Sequence, residues 1–232
     1  MIKPQLRLAT IICLLCTTMA SYAQRNDPYW ALQVKAGTSL SNVYVGSDRN
    51  TTSDMKLGYQ VGIYAEYVLP SDLYFEIGII LASKGAKYEQ NRYGYSGIIE
   101  YHPGYATGNS LIDYENVSIN AIYLQLPVYA GYKFDLNDKL SVHIAAGPYV
   151  SYGIGGKATI EQVGADGTTR DKKNVFGKDD WKRFDAGFSA VLGVEINKFS
   201  FNLGYDFGMI HIDRTYDVYN RNLFLNVGYR IL

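Results

Sequence analysis

Apolar and polar residues alternate with a period of two along most of the chain after residue 24. The clearest example is the segment 199–207, in which every second residue is apolar: Phe199, Phe201, Leu203, Tyr205 and Phe207. The residues between them are small or polar. Strict alternation over this length predicts strands with two chemically different faces rather than helices.

Eight segments carry this pattern, and we predict a strand in each: 30–40, 55–69, 73–88, 114–134, 139–156, 181–197, 198–210 and 221–231. Three connections, 70–72, 135–138 and 197–198, are short and contain the Pro, Asn and Asp residues that favour turns. The other connections are long: 41–54, 89–113, 157–180 and 211–220. Because short and long connections alternate, an up-and-down arrangement places all tight turns at one end and all long loops at the other.

The two faces of the predicted strands differ in charge. One face is uncharged, whereas the other carries ten ionisable residues: Lys35, Glu66, Glu76, Lys84, Lys133, His143, Asp185, Glu195, Asp206 and Arg230. A soluble barrel of the lipocalin class would point the apolar face inward, but an eight-stranded interior has room for little more than its own side chains. The pattern therefore favours an all-β fold, an eight-stranded antiparallel up-and-down transmembrane barrel whose apolar face meets lipid.

The ten ionisable residues are the main candidate site. An unpaired buried charge costs several kcal/mol, so we expect the four bases and five acids to form a structural network of ion pairs that fills the lumen. Passage of an ion or a small solute is the alternative, although wide water-filled pores need about 16 strands. Two further residues, Pro127 and Pro148, lie mid-strand and cannot donate a ladder hydrogen bond, so we expect a bulge or local irregularity at each.

The amino-terminal residues have the layout of a secretory signal. Two basic residues precede an apolar run over 8–20, and the small residues Ser21 and Ala23 follow. This pattern predicts a cleaved signal peptide over 1–23 and a barrel domain over 24–232.

Composition narrows the possible partners and the sources of stability. Both cysteines, Cys13 and Cys16, lie in the predicted signal, so we expect a mature chain without disulfides. Loss of Lys3 and Arg7 with the signal leaves 20 basic against 22 acidic residues, which gives no electrostatic case for nucleic acid. The 22 tyrosines suit membrane–water interfaces, because one end of the side chain is apolar and the other polar.

Five short segments resemble a known family: YLQLPV at 123–128, GYKF at 131–134, AAGPY at 145–149, FNLGY at 201–205 and NRNLF at 220–224. Together they are similar to the PorT-like outer-membrane β-barrel proteins of the porin family. The resemblance implies an eight-stranded barrel in a bacterial outer membrane, with both prolines as family features. It also implies outer-membrane lipid as a partner and, as in some members, an accessory role in a secretion and gliding apparatus.

The long loops contain the remaining candidates. Tyr93, Tyr95, Tyr101 and Tyr105 lie among glycines in the second long loop, a composition that suits an adaptable contact surface for a cell-surface or secretion-apparatus protein. A weakly ordered loop is the alternative.

Catalysis has one candidate in the sequence. His211 lies two residues before Asp213 at the end of the seventh segment, and a His–Asp pair on a rim is a candidate for an outer-membrane enzyme. A solvated loop histidine accounts for it more simply. No other motif points to catalysis, a metal or a cofactor, so we predict a non-enzymatic protein.

Overall fold

The computed structural model describes residues 27–45, 54–91, 112–164, 167–176, 181–213 and 217–232. The predicted signal peptide and the four loop tyrosines lie outside these ranges. No helix long and apolar enough to cross a membrane occurs in the part of the chain that is described.

Nine antiparallel strands make up the described residues: β1 (Tyr29–Val45), β2 (Lys56–Val68), β3 (Leu73–Asn91), β4 (Ile112–Asn137), β5 (Leu140–Gly164), β6 (Gly167–Asn174), β7 (Phe184–Ile196), β8 (Phe199–Gly208) and β9 (Val218–Arg230). Each strand pairs with the next along the chain, except that β6 pairs only with β5, and β7 pairs with β5 in its place. Pairing of β1 with β9 closes a ring of eight strands, and β6 extends one side of it. The predicted all-β, up-and-down barrel is confirmed.

The ninth strand corrects the sequence prediction for 157–180, which was expected to be a loop. β5 continues to Gly164 and forms a hairpin with β6. Every residue of β6, with the sequence GTTRDKKN, is exposed. A strand that is solvated on both faces has no apolar alternation, so the period-two pattern could not reveal it.

The tight turns lie where the sequence predicts them. Asp72 and Asn197 adopt positive φ angles of 63° and 55°, the left-handed conformation that short Asp and Asn side chains tolerate. The second turn is shorter than predicted, because β4 extends to Asn137 and leaves only Asp138 and Lys139 between the strands.

Each mid-strand proline interrupts one ladder locally. Two positions of the β3–β4 ladder are unpaired at Pro127, and two positions of the β4–β5 ladder are unpaired at Pro148. The register is the same on both sides of each gap. The expected irregularity is therefore present, but as a missing pair of rungs rather than a bulge; the register shifts of β4–β5 lie elsewhere.

The outer surface of the ring is apolar. Ile63, Phe201 and Leu225 are half-exposed there, like the other outward residues of their strands, whereas the alternate residues are buried. Aromatic residues pair across neighbouring strands near the tight turns: the ring centroids of Trp30 and Tyr67 lie 4.8 Å apart.

Candidate functional site

Strand alternation places all ten predicted ionisable residues inside the ring. Nine of them are at most 7% exposed, and Arg230 is partly exposed near the tight-turn end. They arise from all eight strands of the ring, so their side chains meet in the lumen rather than along one strand. The structure brings them together in three groups.

Lys133 is the centre of the first group. Its Nζ lies 2.7 Å from Oε1 of Glu66 and 2.8 Å from Oε1 of Glu195. Glu195 also accepts a hydrogen bond from Nη2 of Arg230. These residues lie on β4, β2, β7 and β9, and no two of these strands are neighbours in the ring. Each of these ion pairs therefore passes in front of one intervening strand and extends into the lumen.

His143 lies beside this group, with Nδ1 towards Glu195 and Nε2 towards a neutral side chain. Its Nε2 lies 2.9 Å from Oδ1 of Asn202, and its Nδ1 lies 3.9 Å from Oε1 of Glu195. The ring lies against Gly193, where an added Cβ would stand 2.3 Å from Nε2. A glycine on the polar face thus leaves space for a neighbouring inward ring.

Lys35 and Glu76 form the second group, which joins β1 to β3. The Nζ atom lies 2.8 and 2.6 Å from the two carboxylate oxygens. It also lies 4.3 Å from the centroid of the Tyr64 ring, close enough for a cation–π contact. This pair joins two non-adjacent strands across β2.

Lys84 forms the third group with two aspartates. Its Nζ lies 3.6 Å from Oδ2 of Asp185 and 3.7 Å from Oδ2 of Asp206, and all three residues are almost fully buried. The carboxylates also accept hydrogen bonds from neutral side chains on the same inward face: Ser151, Ser189, Asn220 and Asn222. These neutral partners were not predicted from the sequence, although they lie at even spacing from the charged residues of the same strands.

The interior changes character towards the long loops. Val175, Trp181 and Ile212, which lie between strands, pack on inward residues of β4 and β5 such as Ile119 and Ile160. The backbone supports them, since the Trp181 N–H donates to the carbonyl of Val175 over 3.2 Å. We call this apolar cluster the cap. It occupies the described lumen between Lys84 and the long loops, and it was not among the features predicted from the sequence.

His211 on the rim pairs with a different aspartate from the one predicted. Nδ1 of His211 lies 3.0 Å from Oδ1 of Asp217, and both side chains are about half-exposed. Asp213, the expected partner, is buried. Among the described residues, no serine or threonine hydroxyl makes with His211 the hydrogen bond that a nucleophile–base pair requires.

The chemistry of the lumen is that of paired ions. Each cation faces at least one carboxylate on a strand that is not its neighbour, and the contact between Lys84 and Asp206 joins opposite strands of the ring. Within the described ranges, no group of His, Cys, Asp and Glu is arranged to hold a metal ion. The arrangement can fasten the walls together.

Comparison with known proteins gives one family match. A family model described as outer membrane protein beta-barrel domain matches residues 22–214. None of the curated proteins compared with the chain matches it.

Solved structures resemble the chain at low sequence identity. The attachment invasion locus protein Ail of Yersinia pestis is 16% identical, with 87% of this chain and 98% of that chain covered and a TM-score of 0.36. Neisserial surface protein A is 13% identical, with 88% and 99% covered and a TM-score of 0.42. CymD, a monoaromatic hydrocarbon channel, is 8% identical, with 86% and 88% covered and a TM-score of 0.34.

Proposed function

Since the chain belongs to the outer membrane protein β-barrel domain family and is an outer-membrane β-barrel, we propose that it is a closed, non-enzymatic barrel that acts through its long-loop end. In this proposal the tight turns face the periplasm and the long loops face the cell exterior, the usual asymmetry of such barrels.

The filled lumen is the observation that carries the proposal. At the tight-turn end Lys133 on β4 links Glu66 on β2 to Glu195 on β7, and farther up Lys84 on β3 reaches Asp206 on β8, the opposite strand of the ring. The cap then fills the interior above them. A solute crossing the barrel would have to break buried ion pairs, each of which leaves costly unpaired charges when opened.

An accessory role in a protein-secretion and gliding apparatus is the finer form of this proposal. It is supported by the PorT-like segments, especially 123–134 and 145–149. A protein partner would contact the loop end, where the tyrosines at 93, 95, 101 and 105 are the candidate contact surface. The hairpin of β5 and β6 projects at the same end and offers described, exposed positions for testing.

Conductance measurement tests the closed state. The full mature chain, reconstituted in a planar bilayer, should show no steady current, because side chains from opposite walls fill the lumen. A large, stable current would refute the closed barrel and favour the narrow-channel alternative.

Site-specific crosslinking in whole cells tests the loop end. A photo-reactive residue at Thr169, on exposed β6, should form protein adducts that mass spectrometry identifies. The same residue at Lys139, exposed in a tight turn, is the matched control and should not form them. Adducts that appear at Lys139 alone would contradict action through the loop end, and adducts without any secretion component would contradict the accessory role.

A further inference from the structure

The apolar outer surface ends at a defined level on three adjacent strands. Its last large apolar residues towards the long loops are Leu81 on β3, Ile122 on β4 and Ile154 on β5. Beyond them the strands continue, but their outward residues become polar. We call the outward side chains of this continuation the basic face: Lys87, Asn116, Ser118, Asn120, Lys157, Thr159, Glu161, Arg170, Lys172 and Asn174.

Strand register aligns the cations of the basic face. Lys87 pairs with Ser118, Ser118 with Thr159, and Thr159 with Lys172, so the two lysines end one continuous row across four strands. Lys157 lies two residues before Thr159 on the same face and is therefore a diagonal neighbour of Lys172. Diagonal neighbours are about 7–8 Å apart, so both ammonium groups can reach one anionic group.

Acidic residues compensate only part of this charge. Glu161 lies 3.1 Å from Nη2 of Arg170 and pairs with it. Asp54 lies opposite Lys87 in an isolated bridge. Among the described residues, Lys157 and Lys172 form no salt bridge, although like charges at this spacing repel one another.

The position of these lysines relative to the membrane indicates which anionic groups they can bind. Lys157 follows Ile154 by three residues, or about 10 Å along the strand. Because barrel strands tilt by about 45°, this is about 7 Å along the membrane normal, which places Lys157 in the headgroup layer. It points outward, as the lipid-facing residues do, rather than towards the barrel mouth. We propose that the basic face binds the phosphate groups of anionic lipid in the outer leaflet. Lysine binds phosphate through charge-assisted hydrogen bonds, and membrane-proximal lysines are attracted to anionic lipid.

This inference rests on the orientation in the proposed function, which puts the long-loop end in the outer leaflet. It assigns to that end a second role, separate from the contact with a protein partner. The opposite side of β6 carries Asp171 and Lys173, which pair with Ile160 and Ala158 of the cap side. One projecting hairpin thus has a side for lipid and a side for the barrel mouth.

Lipid titration of the full mature chain in uncharged detergent micelles tests the proposal. The probe is bisphosphorylated lipid A, its binding is followed by native mass spectrometry, and lipid A stripped of both phosphates is the ligand control. The triple variant Lys87→Gln, Lys157→Gln, Lys172→Gln should bind the bisphosphorylated probe at least tenfold more weakly, since each lysine contributes about fivefold near a charged headgroup. The stripped probe should bind both proteins equally.

A matched triple variant removes the same charge elsewhere. Lys139→Gln, Lys173→Gln, Lys198→Gln takes two exposed lysines from tight turns and one from the other side of β6. Its affinity should stay within about twofold of the parent. Heat-modifiable gel migration verifies that all three proteins are folded barrels.

Three results would overturn the lipid proposal. The two triple variants could lose affinity equally, or the first triple variant could bind as tightly as the parent. The third result is a parent protein that binds bisphosphorylated and stripped lipid A with equal affinity. Capture of a protein at Lys172 by a crosslinker, with an unchanged lipid titration, would also overturn it. The orientation fails separately, if a cysteine at Thr168 on the exposed hairpin is not labelled on intact cells.

Discussion

The buried pair of Lys35 and Glu76 tests how much a paired interior stabilises the barrel. Lys35→Met removes an ammonium that lies 2.8 and 2.6 Å from the two oxygens of Glu76. At about 3 Å and an effective dielectric constant near 20, the lost attraction is roughly 5–6 kcal/mol. Desolvation of the two ions offsets part of this in the parent, but Glu76 stays buried in the variant. We therefore expect the free energy of unfolding to fall by about 3–5 kcal/mol.

The charge-neutral double variant separates pairing from burial. Lys35→Met with Glu76→Gln removes both ions and leaves no carboxylate without a partner. It should lose no more than about 1–2 kcal/mol, because replacing a whole buried pair is often close to neutral. The double variant should thus be more stable than the single variant Lys35→Met.

Urea unfolding of the barrel in lipid vesicles, followed by tryptophan fluorescence and by gel migration, measures these differences. The exposed pair of Arg170 and Glu161 is the control: Arg170→Gln should cost at most about 1 kcal/mol, since water screens that pair. If the single and double variants of the buried pair are equally stable, or if Arg170→Gln costs as much as Lys35→Met, the reasoning is refuted.

Three further predictions concern the wall and the cap, and urea unfolding measures each. Val61→Arg places a charge near mid-strand on the lipid face and should cost about 2–4 kcal/mol; an unchanged midpoint would contradict that facing. Gly147→Ala sets a Cβ 1.9 Å from a backbone carbonyl oxygen of β4 and should cost at least about 1–3 kcal/mol, whereas Gly155→Ala, with nothing within 4 Å, should be close to neutral. Trp181→Ala should cost about 3–5 kcal/mol by hollowing the cap, and a steady current through that variant would show that the ion pairs below do not close the lumen.

The sequence was sufficient for features that repeat locally. Period-two alternation determines which residues share a face, so the inward position of Lys133 and Glu195 and the outward position of Phe201 could both be predicted. Turn chemistry is also local, and Asp72 and Asn197 occur at the predicted tight turns with positive φ.

A network of ion pairs was predicted, but which residue pairs with which could not be, because the partners are set by closure of the ring. Lys84 on β3 meets Asp185 and Asp206 only because β7 and β8 lie on the opposite wall at the same height. That height depends on the stagger of all the strands, which no single segment encodes. The rim histidine is a similar case, since the nearby Asp213 is buried and Asp217 pairs with His211.

The cap and β6 were missed for opposite reasons. Val175, Trp181 and Ile212 are isolated apolar residues between strands, so no periodicity distinguishes them from exposed loop residues. The sequence does contain one indication of the cap: within 117–123 the inward positions of the fourth segment are all apolar instead of charged. β6 shows the reverse, a strand with no buried face at all.

Closure of the ring has a consequence for the order of assembly. The strand β1 is made first, yet its second edge pairs only with β9, so that Gln33 meets Arg230 and Val45 meets Val218. Until β9 arrives, that edge exposes a row of backbone N–H and C=O groups, each of which costs several kcal/mol in hydrocarbon. An incomplete sheet with this unpaired edge is therefore not stable in the hydrocarbon core of the bilayer. We therefore expect the free edge of β1 to remain outside the hydrocarbon, or to be covered by another chain, until β9 has been synthesised. Insertion into the bilayer is then completed by the pairing of β1 with β9.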